Sequence, residues 1–268
     1  MHPYLIEIGK FKMPTYGFMI AIGYILSVLW ISKMSEKEKL DKNLISNLIF
    51  YPVLFGFIGA KILYIITFWP YLGYSFLNRL KNVFTYETLS AGFVFYGGFI
   101  MGFLAAFYIC KKNNIKFLKI ADLFAPALAL AHFFGRLGCF SAGCCHGRPT
   151  DSIFGVIFDK PYCNVRTEYL GLKIHPTQLY EATGNIAIFF ALNYLYSKKV
   201  FKKDGYVFFL YAMSYSALRF TVEFFRGDER GDFYFGFSQA QIISLLVIIF
   251  SLIFFIYNNK NENRKNSI

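Results

Sequence analysis

Apolar residues along the chain gather into seven runs, at 15–31, 46–69, 88–110, 120–138, 176–196, 205–225 and 238–257. Each is close to the roughly 20 residues that a helix needs to cross the hydrocarbon of a bilayer. None shows the alternating ten-residue pattern of a membrane β-barrel. A helix satisfies its own backbone hydrogen bonds in lipid. The pattern therefore predicts an all-α, polytopic membrane protein with seven transmembrane helices. No internal repeat or long linker divides the chain, so residues 1–268 read as a single transmembrane domain with one long irregular segment at about 139–175.

Composition agrees with the pattern: 56% of residues are hydrophobic, 21% are aromatic and only 16% are charged, too few charges for a soluble domain of this length. The first residues lack the basic, then apolar, then small order of a cleaved signal peptide, so the first run is expected to remain as an anchor. Charge sets the orientation. Segments 33–45, 111–119, 197–204 and 258–268 hold 15 Lys and Arg in 41 residues, whereas 1–13, 70–87, 139–175 and 222–237 hold 10 in 84. The first set is predicted to be cytoplasmic. That places the N-terminus outside and the C-terminus inside, consistent with an odd number of spans. The net charge of +12 then reads as topology signal plus a basic tail beside anionic lipid, with no nucleic-acid partner.

Polar residues inside the runs are few. The basic ones are Lys61, Arg136 and Arg219, and intramembrane charge usually faces the bundle interior or a cavity. In the predicted orientation, Lys61, Tyr96, Arg136, Gln178, Glu181, Asn185 and Arg219 all fall in the outer halves of their spans. Tyr16 and Gln241 begin spans on the same side, and Asp122 stands apart as a helix-start residue. Helical spacing places Arg219 with Glu223, Glu223 with Arg226, and His132 with Arg136 on common faces, and makes one stripe of Gln178, Glu181 and Asn185. A single such pair would serve as packing glue between helices. Convergence of several spans at one depth points instead to a site at the headgroup level, where guanidinium can bind phosphate bidentately. Gly97, Gly98 and Gly102 allow close approach of a helix or a ligand.

Cys139, Cys144, Cys145 and Cys163 lie outside in this orientation, and Cys110 lies inside. The outer four allow three disulfide connectivities. Cys139, Cys144, Cys145 and His146 could instead hold a metal, but the spacing lacks the C-x-x-C pair of ordinary zinc sites. No neighbouring base marks a cysteine nucleophile. Small packing residues under a glycine-rich loop rank first, with no metal.

These motifs carry a resemblance. "TYGFMIAIGY", "FYGGFIMG", "ADLFAPALALAHFFGRLGCFSAGCCHGRPT", "HPTQLYEA", "RFTVEFFRGDERG" and "GFSQAQIISL" occur in this order over most of the chain. Together they resemble the prolipoprotein diacylglyceryl transferase family, in a cysteine-containing branch marked by GCF-x-x-GCC. The resemblance implies a seven-span enzyme of the bacterial inner membrane with its active site at the outer leaflet. Its substrates would be phosphatidylglycerol and the lipobox cysteine in the signal peptide of a preprolipoprotein. It would need no cofactor. Arg136 and Arg219 match essential arginines, and Tyr16, Gly135, Gly143, Gly147 and Glu223 match positions used for site structure or substrate. Glu181, Gly97 and Gly98 are expected to line the substrate site. Better-known members have histidine at Tyr96, asparagine at Cys139 and glutamate at Cys144. Tyr96 is then expected to bond the phosphate or position the thiol, with His146 and His175 as fallback bases. A paralogue with an altered substrate, or a thiol-redox or metal role, is the alternative.

Overall fold

A computed structural model of the chain describes residues 4–9, 11–90, 92–160, 163–228 and 233–265. It is mostly helical. A hairpin of β1 (Tyr4–Ile8) and β2 (Phe11–Pro14) leads into α1 (Thr15–Lys37). Then follow α2 (Lys42–Phe68), α3 (Phe76–Val83), α4 (Tyr86–Ser90), α5 (Phe95–Lys112) and α6 (Phe117–Ala142). Two short strands, β3 (Val156–Ile157) and β4 (Lys173–Ile174), pair within the long segment before α7 (Thr177–Ser197). After α8 (Tyr206–Glu223), a tight hairpin of β5 (Phe233–Tyr234) and β6 (Phe237–Ser238) opens α9 (Gln239–Lys265).

Each of the seven predicted runs is helical over most of its length. Among the described residues four helices are long and apolar enough to cross a membrane: Thr15–Lys37, Lys42–Leu72, Phe117–Ala142 and Gln239–Lys260. Many large apolar side chains of these helices face outward, among them Leu29, Phe57, Ile66, Leu246 and Ile253. That exposure suits lipid as solvent, and the architecture is that of an all-α membrane protein.

The helix of the third run starts later than predicted. The sequence suggests 88–110, but α4 stops at Ser90 and α5 begins only at Phe95. Apolar composition continues through the break, so hydropathy cannot register it. The backbone does: the Val94 N–H donates to the Ala60 carbonyl of α2 (3.1 Å) instead of to a preceding turn.

The chain divides into two compact units, Met1–Met34 with Ala121–Ile268, and Ser35–Ile120. In the second unit α2 and α5 run antiparallel. A Cβ on Gly59 would collide with the Gly97 carbonyl, and one on Gly97 with the Gly59 carbonyl. A Cβ on Gly98 would lie 2.9 Å from the Gly56 carbonyl, and one on Gly102 would lie 3.0 Å from that of Pro52. Small residues thus bring the two backbones together, as in membrane helix pairs generally. Asp41 caps α2 by accepting from the Leu44 N–H (2.7 Å). Lys61 donates to the Thr88 carbonyl (2.5 Å) and lies near the rings of Tyr64 and Phe93, so its charge is solvated locally.

The first unit holds α1, α6, α7, α8 and α9. Its contacts fix their directions. Trp30 of α1 donates to Asn193 of α7 (2.9 Å), near the C-terminal ends of both. Tyr206, opening α8, donates to Asn259 near the end of α9 (2.9 Å). Asp122, near the start of α6, accepts from Gly205 (2.6 Å) and Phe208 (2.7 Å) at the start of α8. So α1, α7 and α9 run one way, and α6 and α8 the other. Asp122 is not the helix-start residue of its own helix, as the sequence suggests. It lies past the first turn of α6 and caps α8, whose own N-cap, Gly205, has no side chain to do so.

Candidate functional site

The polar cluster of the first unit is built where α6 and α8 end and α7 begins. Glu181, in the first turns of α7, is its centre. It is wholly buried, as are its stripe neighbours Gln178 and Asn185. One Glu181 carboxylate oxygen pairs with Arg136 Nε of α6, and the other accepts from Arg219 Nη1 of α8 at 3.1 Å. Arg219 Nη2 also meets Glu223 Oε2 at 2.5 Å, one helical turn on. Two guanidiniums and two carboxylates thus form one network. It has no net charge, and a buried ion pair persists only with such compensation. Arg136 is the open member. Its side chain retains 20% exposure against 10% for Arg219, and its terminal nitrogens make no hydrogen bond among the described residues. Gly135 beside it faces open space. One turn earlier on α6, His132 Nδ1 bonds the Tyr211 hydroxyl (2.9 Å), a partner that same-helix spacing with Arg136 did not suggest.

Beyond Ala142 the chain turns sharply. Gly143 and Cys145 both have left-handed backbones, with φ of +79° and +64°. The first is natural for glycine, while the second is strained for a side-chain-bearing residue. The loop is pinned to α7. Gln178 Nε2 donates to the Cys144 carbonyl (2.7 Å), and Thr177 Oγ1 donates to that of Cys145 (2.8 Å). As a result the Sγ atoms of Cys139, Cys144 and Cys145 lie within 4.8 Å of one another. Among them, hydrogen bonding from Cys139 and Cys144 pulls the Cys145 thiol below its usual range, helped by Arg226 and Arg136. The same sharing with Cys139 and Cys145 pushes Cys144 up. Tyr16, at the start of α1, packs on Gly138 and is within electrostatic reach of these thiols and of Arg136.

Gly147 threads between two strands of backbone. Its N–H donates to the His175 carbonyl (3.0 Å), and a Cβ there would lie 2.5 Å from that oxygen and 2.8 Å from the Phe225 carbonyl. His146 is buried and has both ring nitrogens engaged: Nδ1 donates to the Gly147 carbonyl (3.0 Å), and Nε2 accepts from the Arg166 N–H (3.3 Å). Neither is left for a substrate proton. His175 is half-buried. Its Nδ1 bonds the Tyr180 hydroxyl (3.1 Å), and burial together with Arg148 holds its pKa below the usual value. An imidazole so held is neutral at pH 7 and can accept a proton.

The structure therefore brings Tyr16, Gly135, Arg136, Gly143, Gly147, Glu181, Arg219 and Glu223 into one neighbourhood of the first unit. Tyr96, Gly97 and Gly98 belong to the second unit. There Tyr96 is 55% exposed, and the two glycines serve the approach of α5 to α2. Spacing puts Arg226 on the face of Glu223, but its guanidinium forks onto Asp228 (2.8 and 2.7 Å). Its Nη1 is buried without a partner among the described residues. The pair sits in "RGDERG", where an acid two residues after a base was the available signal.

Comparison with known proteins identifies the family. Residues 3–257 match the model of the family described as prolipoprotein diacylglyceryl transferase. A phosphatidylglycerol–prolipoprotein diacylglyceryl transferase of Clostridium tetani is 38% identical over 259 residues, which is 96% of this chain and 97% of that protein. The protein named phosphatidylglycerol–prolipoprotein diacylglyceryl transferase 2 of Clostridium perfringens is 35% identical, over 97% and 96%. One from Staphylococcus aureus is 32% identical, over 97% and 90%.

Proposed function

The chain belongs to the prolipoprotein diacylglyceryl transferase family, and from that premise we propose that it moves the diacylglyceryl group of phosphatidylglycerol onto the lipobox cysteine of a preprolipoprotein. In this reaction the substrate sulfur attacks the glyceryl carbon that bears the phosphate. An S–C bond forms, the C–O bond to phosphate breaks, glycerol phosphate leaves and the thiol proton passes to solvent or a base. Negative charge grows on the departing phosphate. Fixed donors aimed at such charge are the usual means of lowering the barrier.

The observation that carries this reading is the Arg136–Glu181–Arg219–Glu223 network at one shared end of the helices. Glu181 holds both guanidiniums in place, and Arg136 keeps terminal N–H donors for the phosphate. Glu223 holds Arg219 from the other side. Tyr16, Gly135, Gly143 and Gly147 shape the approach. Tyr96, Gly97 and Gly98 belong to the other unit, where the two glycines serve the approach of α5 to α2. An unperturbed thiol of pKa about 8.5 is partly ionised at neutral pH, so no strong base is obligatory. His175 is the imidazole free to serve, and His146 is structural.

Seven crossings, with the N-terminus outside and this site at the outer leaflet of the inner membrane, are part of the same reading. The alternating helix directions and the excess of Lys and Arg in one set of loops support it. The test is transfer from phosphatidylglycerol to a lipobox peptide in membranes. Arg136→Ala and Arg219→Ala are each expected to lower the rate by a factor of about 100 to 1,000 while the protein still inserts. Full activity in either variant removes the phosphate clamp.

A further inference from the structure

Three cysteines distant from any standard metal spacing converge in space. Cys139 ends a helical turn of α6, and Cys144 and Cys145 follow the left-handed Gly143. All three Sγ atoms lie within 4.8 Å of one another. The convergence is held from outside. Buried Gln178 and Thr177 grip the carbonyls of Cys144 and Cys145, and Cys145 retains a strained backbone. Simple packing needs none of this, and Cys163 shows the contrast: it sits in an apolar cluster with Phe158, Val165 and Ile174.

We propose that Cys139, Cys144 and Cys145 form a three-thiolate site for one soft divalent cation of the zinc class, with its fourth position open to the thiol of a substrate. Zinc–sulfur bonds of about 2.3 Å place tetrahedral sulfurs roughly 3.8 Å apart, so the thiols need to close by an ångström or less. A disulfide would require two sulfurs to approach to about 2.0 Å and an oxidant to take two electrons. Thiolate ligands select zinc-like and other soft ions. Each thiol gives up its proton as its metal bond forms, and three thiolates on a divalent ion leave one net negative charge. Arg136 and Arg226 lie within electrostatic reach. His146 is not the fourth ligand, since both its nitrogens are bonded to backbone. Three protein ligands with an open position is the arrangement of catalytic zinc, and a thiol that coordinates there is deprotonated outright. The open-position clause rests on the transferase reading above, whereas the metal site itself does not.

The test uses the full chain in detergent, reduced without added thiol. Zinc is expected to protect Cys139, Cys144 and Cys145 from alkylation, read residue by residue by mass spectrometry, and to leave the reactivity of Cys110 and Cys163 unchanged. Cadmium is expected to bind one per chain with a three-thiolate charge-transfer absorption. That absorption should be lost in Cys144→Ser and retained in Cys163→Ser. If zinc protects none of the three, the site is refuted, whatever the fate of the serine variants. Adding a lipobox peptide to the cadmium-loaded protein is expected to raise the absorption from three thiolates' worth to four, and the same peptide with serine for cysteine to leave it flat. No rise with the cysteine peptide removes the open-position clause. Because this readout is binding, it is independent of the rate loss in the arginine variants, which tests the transferase reading.

Discussion

Helices α2 and α5 and helices α6, α7 and α8 solve the same problem by opposite means. Neither α2 nor α5 contains a carboxylate. Gly56, Gly59, Gly97 and Gly98 let the two backbones approach until a single methyl group would not fit. In α6, α7 and α8 the contact is a fully buried carboxylate shared by two guanidiniums. In lipid, apolar side chains gain nothing by leaving their surroundings for one another, so helices associate through close packing or polar bonds. The two regions differ in what a substitution leaves behind. Added bulk between α2 and α5 separates surfaces that remain satisfied. Removal of one charge from the other cluster strands its partners.

The largest expected effect follows from that asymmetry. Glu181→Ala leaves two guanidiniums facing each other without their shared anion. Breaking a buried pair from one side costs about 3–5 kcal/mol. The variant should show a sharply lower unfolding temperature in detergent and no measurable transfer. If Glu181→Ala unfolds with the wild type, the cluster does not hold α6, α7 and α8 together, and the contrast with α2 and α5 disappears.

Next in size is Gly59→Ala. Its new methyl would meet the Gly97 carbonyl and the Met101 side chain at distances that real Cβ atoms do not reach. Met101 can move, but the carbonyl cannot without shifting α5. Overpacking of this kind costs about 1–3 kcal/mol. A melt of the full chain measures it, and an unchanged melting point would mean that the α2–α5 contact is looser than the glycines imply.

How far each region was legible in the sequence follows the same division. Apolar run length located the seven long helices among the described residues, because it reports each helix alone. Spacing within one helix put Arg219 with Glu223, and Gln178, Glu181 and Asn185 on one buried stripe. It could not name partners from other helices. His132 shares a face with Arg136, but its hydrogen bond goes to Tyr211 of α8. Spacing puts Arg226 on the face of Glu223, but its guanidinium bonds Asp228. The meeting of the three thiols could not be read from spacing, because it happens only after Gly143 and Cys145 turn the chain back. The hairpin at 4–14 and the break before Phe95 left no periodic trace at all.

The smallest expected effect tests the end of the bundle remote from the arginines. Asp122 uses both carboxylate oxygens on backbone N–H groups of Gly205 and Phe208, at 2.6 and 2.7 Å. These are orphan donors of the first turn of α8, whose dipole also favours a negative group there. Asn in the same place keeps one acceptor but turns an amide NH2 toward the second donor. The loss is about 0.5–2 kcal/mol, the range for removing a helix cap. Asp122→Asn is therefore expected to lower the melting point slightly and to speed hydrogen exchange at the first amides of α8. The rate of diacylglyceryl transfer should hold, because Arg219 is more than three helical turns away along α8 and is fixed there by Glu181. A transfer rate that falls as far as in Arg219→Ala would show that α8 moves as one piece, so that the capped end and the charged end could not be treated separately.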